Sequence, residues 1–309
     1  MIGTYQALPL APGGLMKSAF VAICALFLLT PCLVNGQTTP SSPTAETQRV
    51  RVNYVPPTNP AHQPIYDLMK ERKTLERMQK LLSPFRLRRD LTLTVQGCGG
   101  VNNAWYENGV VTVCYEYLED ARKHSPKRET NDSVTPEDAL VAQIYYVFLH
   151  EAGHALFDLL TLPVFGNEES AADQFASYML LQMGKNDARQ LILGATYTFR
   201  AYMDASETTE ATVVFSDIHG TPAQRFFNLL CIGYGARPDV FGDLVEKGLL
   251  PKSRAGDCGF EYGALAYAVR QLVQPYIDQQ LAKQVLDETW LPPIGDRPKR
   301  PTHATAEPK

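Results

Sequence analysis

Five consecutive residues, His150-Glu151-Ala152-Gly153-His154, carry the most specific chemistry in the chain, read together with Glu169 and Asp173 further on. On an α-helix successive residues are about 100° apart, so His150 and His154 lie about 40° from one another, one turn up. Glu151 falls about 60° from His154, on the edge of the same face. Two imidazoles and a carboxylate so placed converge on one point outside the helix. Two His at this spacing can hold a zinc ion, with the Glu left free as general base.

The element that must position them is the mostly apolar run Ala139–Leu160, long enough for a buried helix. In front of it, Thr135 reads as an N-cap, Pro136 as the first helical residue, and Glu137 and Asp138 as acids at the positive end. Polar His and Glu inside such a run are costly unless they have partners. Gly153 costs about 1 kcal/mol against Ala in mid-helix. It leaves room beside a metal or a crossing strand, or reflects loose packing. Leu162–Gly166 (LPVFG) ends this helix, and a second is expected over Glu168–Met183. There Glu169, Ala172, Asp173, Ala176, Leu180 and Met183 share a stripe at spacings of three and four. Zinc needs a third protein ligand and a position open to water. Glu169 supplies that ligand, with Glu168 as the alternative, and the Glu-x-x-x-Asp spacing favours Glu169. Asp173, one turn on, accepts the N–H of a liganding His and so positions it. Asp158, one turn beyond His154, is a second candidate for that positioning role.

His-Glu-x-x-His followed by Glu-x-x-x-Asp on the next helix resembles the gluzincins, the thermolysin-like metallopeptidases, with a shorter linker than theirs. The stretch HEAGHALFDLLTLPVFGNEESAADQFA, the later block Gln224–Cys231 and two pairs of Cys resemble, more closely, a bacterial domain family of unknown function whose members carry the label metallopeptidase. That likeness covers roughly Val52 to Pro275. It implies an α+β, zincin-like fold: a small antiparallel sheet whose edge strand packs on the active-site helix, and a mostly helical C-terminal half. It also implies one zinc ion, a peptide or protein substrate, and peptide-bond hydrolysis with Glu151 as base. Asn103 and Ala104, followed by Trp105 and Tyr106, resemble the edge-strand segment on which such enzymes bind substrate backbone by β-augmentation; an aromatic turn packed for stability is the plainer reading. Thermolysin-like enzymes keep a downstream His as donor to the tetrahedral intermediate. His219 takes that catalytic place here, with Asp217 as orienting partner, and Tyr234 stands as a second donor. Three other readings stay open: a zinc-binding module without activity, a hydrolase of another amide such as cell-wall peptide, and a metal-free protein whose His are satisfied by Asp158, Asp173 and Glu169.

The remaining chain frames this site. A formal charge of −4 gives no reason to expect a nucleic-acid partner. Lys17 and the apolar Ser18–Val34 read as a signal peptide ending near Gly36, with Met16 as an alternative start, so the protein is expected to be exported, periplasmic or secreted. The run is followed by no basic stop-transfer cluster, so no stable membrane span is expected after cleavage. Residues 37–49 read as a disordered tether, 50–290 as the catalytic domain and 291–309 as a flexible tail. Strands are expected around Val52–Val55, over Leu91–Val95 and over Val110–Tyr115, the last two joined through Gly97–Gly109 as a hairpin. His62–Leu82 reads as one amphipathic helix with a solvated or capping His62. Further helices are expected over Asp187–Met203, Gln224–Tyr234 and Tyr262–Leu281, the last interrupted at Pro275. Outside the signal region stand Cys98, Cys114, Cys231 and Cys258, an even set that suggests disulfides in an exported protein. Of three pairings, Cys98–Cys114 and Cys231–Cys258 each close a local loop and are favoured. Nothing in the sequence fixes an oligomeric state.

Overall fold

A computed structural model of the chain describes residues 49–206, 210–287 and 290. The expected signal peptide, all but the last residue of the tether, and the tail lie outside the described residues.

The first strand, β1 (Val50–Tyr54), pairs in parallel with β2 (Leu91–Gln96), Val50 opposite Leu91. A parallel pair needs a crossover, and two helices supply it: α1 (Gln63–Glu71) and α2 (Thr74–Leu82). The single helix expected over His62–Leu82 is therefore broken. Lys73 adopts a left-handed conformation (φ 49°), and the Tyr54 hydroxyl holds the new start by accepting the Leu75 N–H at 2.8 Å while donating to Glu76 Oε2 at 2.7 Å. His62 is not solvated: it is buried against Tyr115, with Nε2 3.4 Å from Glu119 Oε2.

β3 (Ala104–Glu107) and β4 (Val110–Cys114) form an antiparallel hairpin, while β4 also runs parallel to β2. The strand order is β1-β2-β4-β3. The sheet is therefore mixed, not antiparallel, and the hairpin is not the one expected. The reason is the two-residue turn at Asn108 (φ 49°) and Gly109 (φ 84°). Asn-Gly with both residues at positive φ is the turn whose twist suits a tight hairpin. It folds β3 back along β4 and leaves β3 at the sheet edge. Tyr115, expected to end a strand, instead begins α3 (Tyr115–His124).

One helix forms the spine. In α4 (Pro136–Leu159) the Thr135 side chain accepts the Asp138 N–H and Asp138 returns the contact, a reciprocal cap. The helix is buried around nearly its whole circumference, which its apolar sequence permits. α5 (Glu168–Leu181) and α6 (Lys185–Ser206) pack on it through small residues. A Cβ on Gly153 would lie 3.2 Å from the Ala172 Cα of α5, and one on Gly194 of α6 would lie 2.5 Å from the Ala142 Cβ. Gly153 thus buys close approach of α5 to the motif.

The C-terminal half is helical: α7 (Ala211–Ser216), α8 (Pro222–Ala236), α9 (Pro238–Phe241), α10 (Asp243–Glu246), α11 (Lys252–Ala268) and α12 (Gln279–Leu286). α11 begins ten residues before the expected Tyr262, and it loosens into a π-turn over Val269–Val273 ahead of Pro275, whose missing N–H cannot continue the ladder. Cys98–Cys114 ties the loop after β2 to the end of β4, and Cys231–Cys258 ties α8 to α11. Among the described residues no helix is long and apolar enough to cross a membrane.

Candidate metal centre

α4 presents His150 and His154 on the face that meets the first turn of α5, where Asn167 caps the helix by accepting the Ser170 N–H. That cap aims Glu169 at the motif. Glu169 Oε2 lies 3.1 Å from His150 Nε2 and 3.3 Å from His154 Nε2, and the two Nε2 atoms are 3.3 Å apart. From the loop before α8, His219 Nε2 reaches the same oxygen at 3.1 Å. Glu168 goes elsewhere. Its side chain is half exposed, and its Oε1 meets His154 Nδ1 at 2.8 Å.

The hydrogen-bond pattern calls for positive charge here, supplied by protons or by a metal ion. A carboxylate only accepts, so His150 Nδ1–H donates to Asp173 Oδ1 (2.7 Å), His154 Nδ1–H to Glu168 (2.8 Å), and His219 Nδ1–H to Asp217 Oδ1 (2.9 Å). A neutral imidazole that donates from Nδ1 presents a lone pair at Nε2. Three such lone pairs would face the lone pairs of Glu169 Oε2, a repulsive arrangement unless protons or a metal ion lie between. The separations match an ion: ligand atoms about 2.0–2.1 Å from zinc lie about 3.3–3.4 Å apart in a tetrahedron. The donor set of imidazole and carboxylate fits the group.

Behind His150 sits a buried relay of charge. The Arg225 guanidinium of α8 forks onto Asp173, Nε to Oδ2 at 2.8 Å and Nη2 to Oδ1 at 2.7 Å, and the Tyr146 hydroxyl donates to Oδ1 at 2.7 Å. Burial opposes ionisation of Asp173, but Arg225 and His150 outweigh it and hold the carboxyl below its ordinary range. No local spacing points to Arg225 or Tyr146, although Arg225 stands inside the Gln224–Cys231 block.

The charges at the centre follow from these contacts. The close approach of the His150, His154 and His219 rings holds the Glu169 carboxyl far below the usual carboxylate range. Burial opposes charge on His154, but Glu169 and Glu168 together raise it to about 9. Glu151, 6% exposed, has its carboxyl raised by burial, against the pull of His150 and His154. A raised carboxyl suits proton transfer near neutral pH.

Asn103 and Ala104 lie at the start of the edge strand. The Asn103 carbonyl accepts the Cys114 N–H at 3.2 Å, and Ala104 pairs with Val113. β3 is tethered to α4 by the Tyr106 hydroxyl, which donates to Asp158 Oδ2 at 2.6 Å, with Arg89 on the same oxygen at 2.8 Å. Asp158 therefore serves the strand and not the imidazoles, which corrects its candidacy as a positioning residue. Tyr234 is partly buried and packs against the core. A polar cavity of about 140 Å³ adjoins the centre, lined by Tyr146, Asp173, His219, Arg225 and Asn228 among others. A larger apolar cavity of about 330 Å³, lined by Leu81, Phe85, Tyr178, Val269 and Val285 among others, shares no residue with it.

A sequence model of the family described as "Putative metallopeptidase" matches residues 54–273, more than half of the chain. No curated protein and no solved structure matches the chain.

Proposed function

The chain belongs to the "Putative metallopeptidase" family, and from that premise we propose that it is an exported zinc peptidase of zincin-like design, with one ion held by His150, His154 and Glu169. The observation that supports this most directly is the meeting of the imidazole Nε2 atoms at Glu169 Oε2, with Glu151 buried on the same helix beside them. Zinc, when bound, acidifies water and polarises the scissile carbonyl. Glu151 takes the proton of the attacking water and passes it to the leaving amine. Asp173, braced by Arg225, keeps the His150 ring in the tautomer that offers Nε2 to the ion. His219 donates to the substrate oxygen as it gains charge, and losing such a donor typically costs about 10²–10³ in kcat. The open edge of β3 at Asn103 and Ala104 takes substrate backbone as an added strand. The two cystines favour an oxidising compartment and hence export.

Metal analysis of the purified chain, run with a peptide-library cleavage assay, tests this reading. One equivalent of zinc is expected in wild type and in Glu151→Gln, with much less in His150→Ala, His154→Ala and Glu169→Ala. Glu151→Gln should lower turnover by about 10²–10⁴, the usual worth of a general base. Zinc uptake without cleavage of any peptide would leave a binding module, and a Glu151→Gln chain as fast as wild type would remove Glu151 from the reaction.

A further inference from the structure

His219 is wired like the two motif histidines. Each of the three donates its Nδ1–H to its own carboxylate, Asp173, Glu168 or Asp217, at 2.7–2.9 Å. Each turns its Nε2 toward Glu169 Oε2, at 3.1–3.3 Å. A carboxylate on the far nitrogen of an imidazole is the usual support of a metal-bound His. His150, Glu169 and His219 offer donor atoms that all lie within 4.8 Å of one another, so a second triad shares the His150–Glu169 pair with the first. A His that served only a passing substrate would have no need to face the ligating carboxylate oxygen.

We propose, building on the metallopeptidase reading, that His219 is itself a metal ligand at rest, filling through Nε2 the position that a hydrolase leaves open, and that substrate must displace it before it becomes a donor to the reacting oxygen. Structural zinc sites have four protein ligands, whereas catalytic ones keep one place for water or substrate. His150 and His154 are held by the backbone ladder in the C-terminal half of a largely buried helix. His219 instead lies in the Asp217–Thr221 connection between α7 and α8, with its side chain 37% exposed, and Gly220 beside it takes a left-handed φ of 76°. The loop is held in the resting position by the His219 N–H on Asp217 Oδ1 (2.9 Å) and by Asn167 Nδ2 on the Ile218 carbonyl (2.7 Å). Asn167 also caps α5, so one residue ties the His219 loop to the helix that carries Glu169.

Zinc X-ray absorption on the wild-type chain counts the imidazoles directly. Three are expected, and two would overturn the assignment without any variant. In parallel, zinc affinity by chelator competition and the visible spectrum of the cobalt-loaded chain are compared for wild type, His219→Ala and His150→Ala. His219→Ala should still hold the ion but about 10–100-fold more weakly, taking the scale of loss seen for groups that support a site as a floor. Its cobalt spectrum should shift, and free imidazole should restore it. A His219→Ala chain with wild-type affinity and an unchanged spectrum would make His219 a donor only. Wild type that takes up no ion would sink the metallopeptidase reading itself, a result distinct from an ion held by two imidazoles.

Discussion

Arg225 shows what a sequence reading misses at the scale of single residues. The proposed ligand pair is legible because helix periodicity places His150 over His154, and Glu169 and Asp173 follow the same rule on the next helix. Arg225 lies 52 positions beyond the Asp173 it braces, and no local period links them; only the packing of α5 on α8 does. Its guanidinium also lies over the Phe199 ring, 4.7 Å from the centroid. Removing one partner of a buried ion pair typically costs about 3–5 kcal/mol, because the other charge is left behind. Arg225→Met should therefore lower unfolding stability by that order, read by urea titration. Zinc affinity should fall about 10–100-fold as His150 loses its brace. Arg225→Lys keeps the charge without the planar fork and should recover stability more fully than affinity. If Arg225→Met loses stability while its zinc affinity stays at the wild-type value, the pair braces the fold and not the ligand.

At the scale of elements, the proposed substrate edge depends on how β3 is aimed. Two residues of sequence, Asn108 and Gly109, carried the information that β3 and β4 form a hairpin. The alternation of Leu91–Val95 and Val110–Tyr115 outweighs them, because both segments have the pattern of hairpin partners. They are neighbours, but parallel ones, and strand direction is not written in alternation. The long helices were legible from their caps and apolar runs, as at Thr135 and Pro136, whereas the break at Lys73 depends on Tyr54, a strand residue that periodicity does not connect to it. Because β3 has an open edge, the Tyr106–Asp158 hydrogen bond is a side-chain tie from that strand to α4. A hydrogen bond of this kind contributes about 0.5–1.5 kcal/mol. Tyr106→Phe should keep full zinc content and raise KM for peptides several-fold, with kcat changed less. An unchanged KM would show that substrate backbone does not lie along β3, and would return Asn103 and Ala104 to a packing role.

At the scale of the whole molecule, two covalent ties brace different parts of the proposed site. Cys98–Cys114 closes 16 residues and Cys231–Cys258 closes 27; chain entropy gives each about 3 kcal/mol of stabilisation. Their positions differ more than their energies. The first restrains the loop that feeds the edge strand, where the Glu116 carboxylate also accepts the Cys98 and Gly100 N–H groups at 3.0 Å. The second locks α8, which carries Arg225, against α11 at a place where a Cβ on Gly235 would fall 2.0 Å from the Cys258 carbonyl oxygen. Replacing both cysteines of either pair by Ser should lower the unfolding free energy by about 2–5 kcal/mol. Their functional signatures should separate. The Cys98→Ser, Cys114→Ser chain should keep its zinc and lose peptide affinity, because the edge strand loses its anchor. The Cys231→Ser, Cys258→Ser chain should bind zinc more weakly, because α8 and the brace on Asp173 are loosened. Chelator competition and steady-state kinetics on both variants, below their melting temperatures, decide the matter: identical losses in both would mean that the cystines support only global stability.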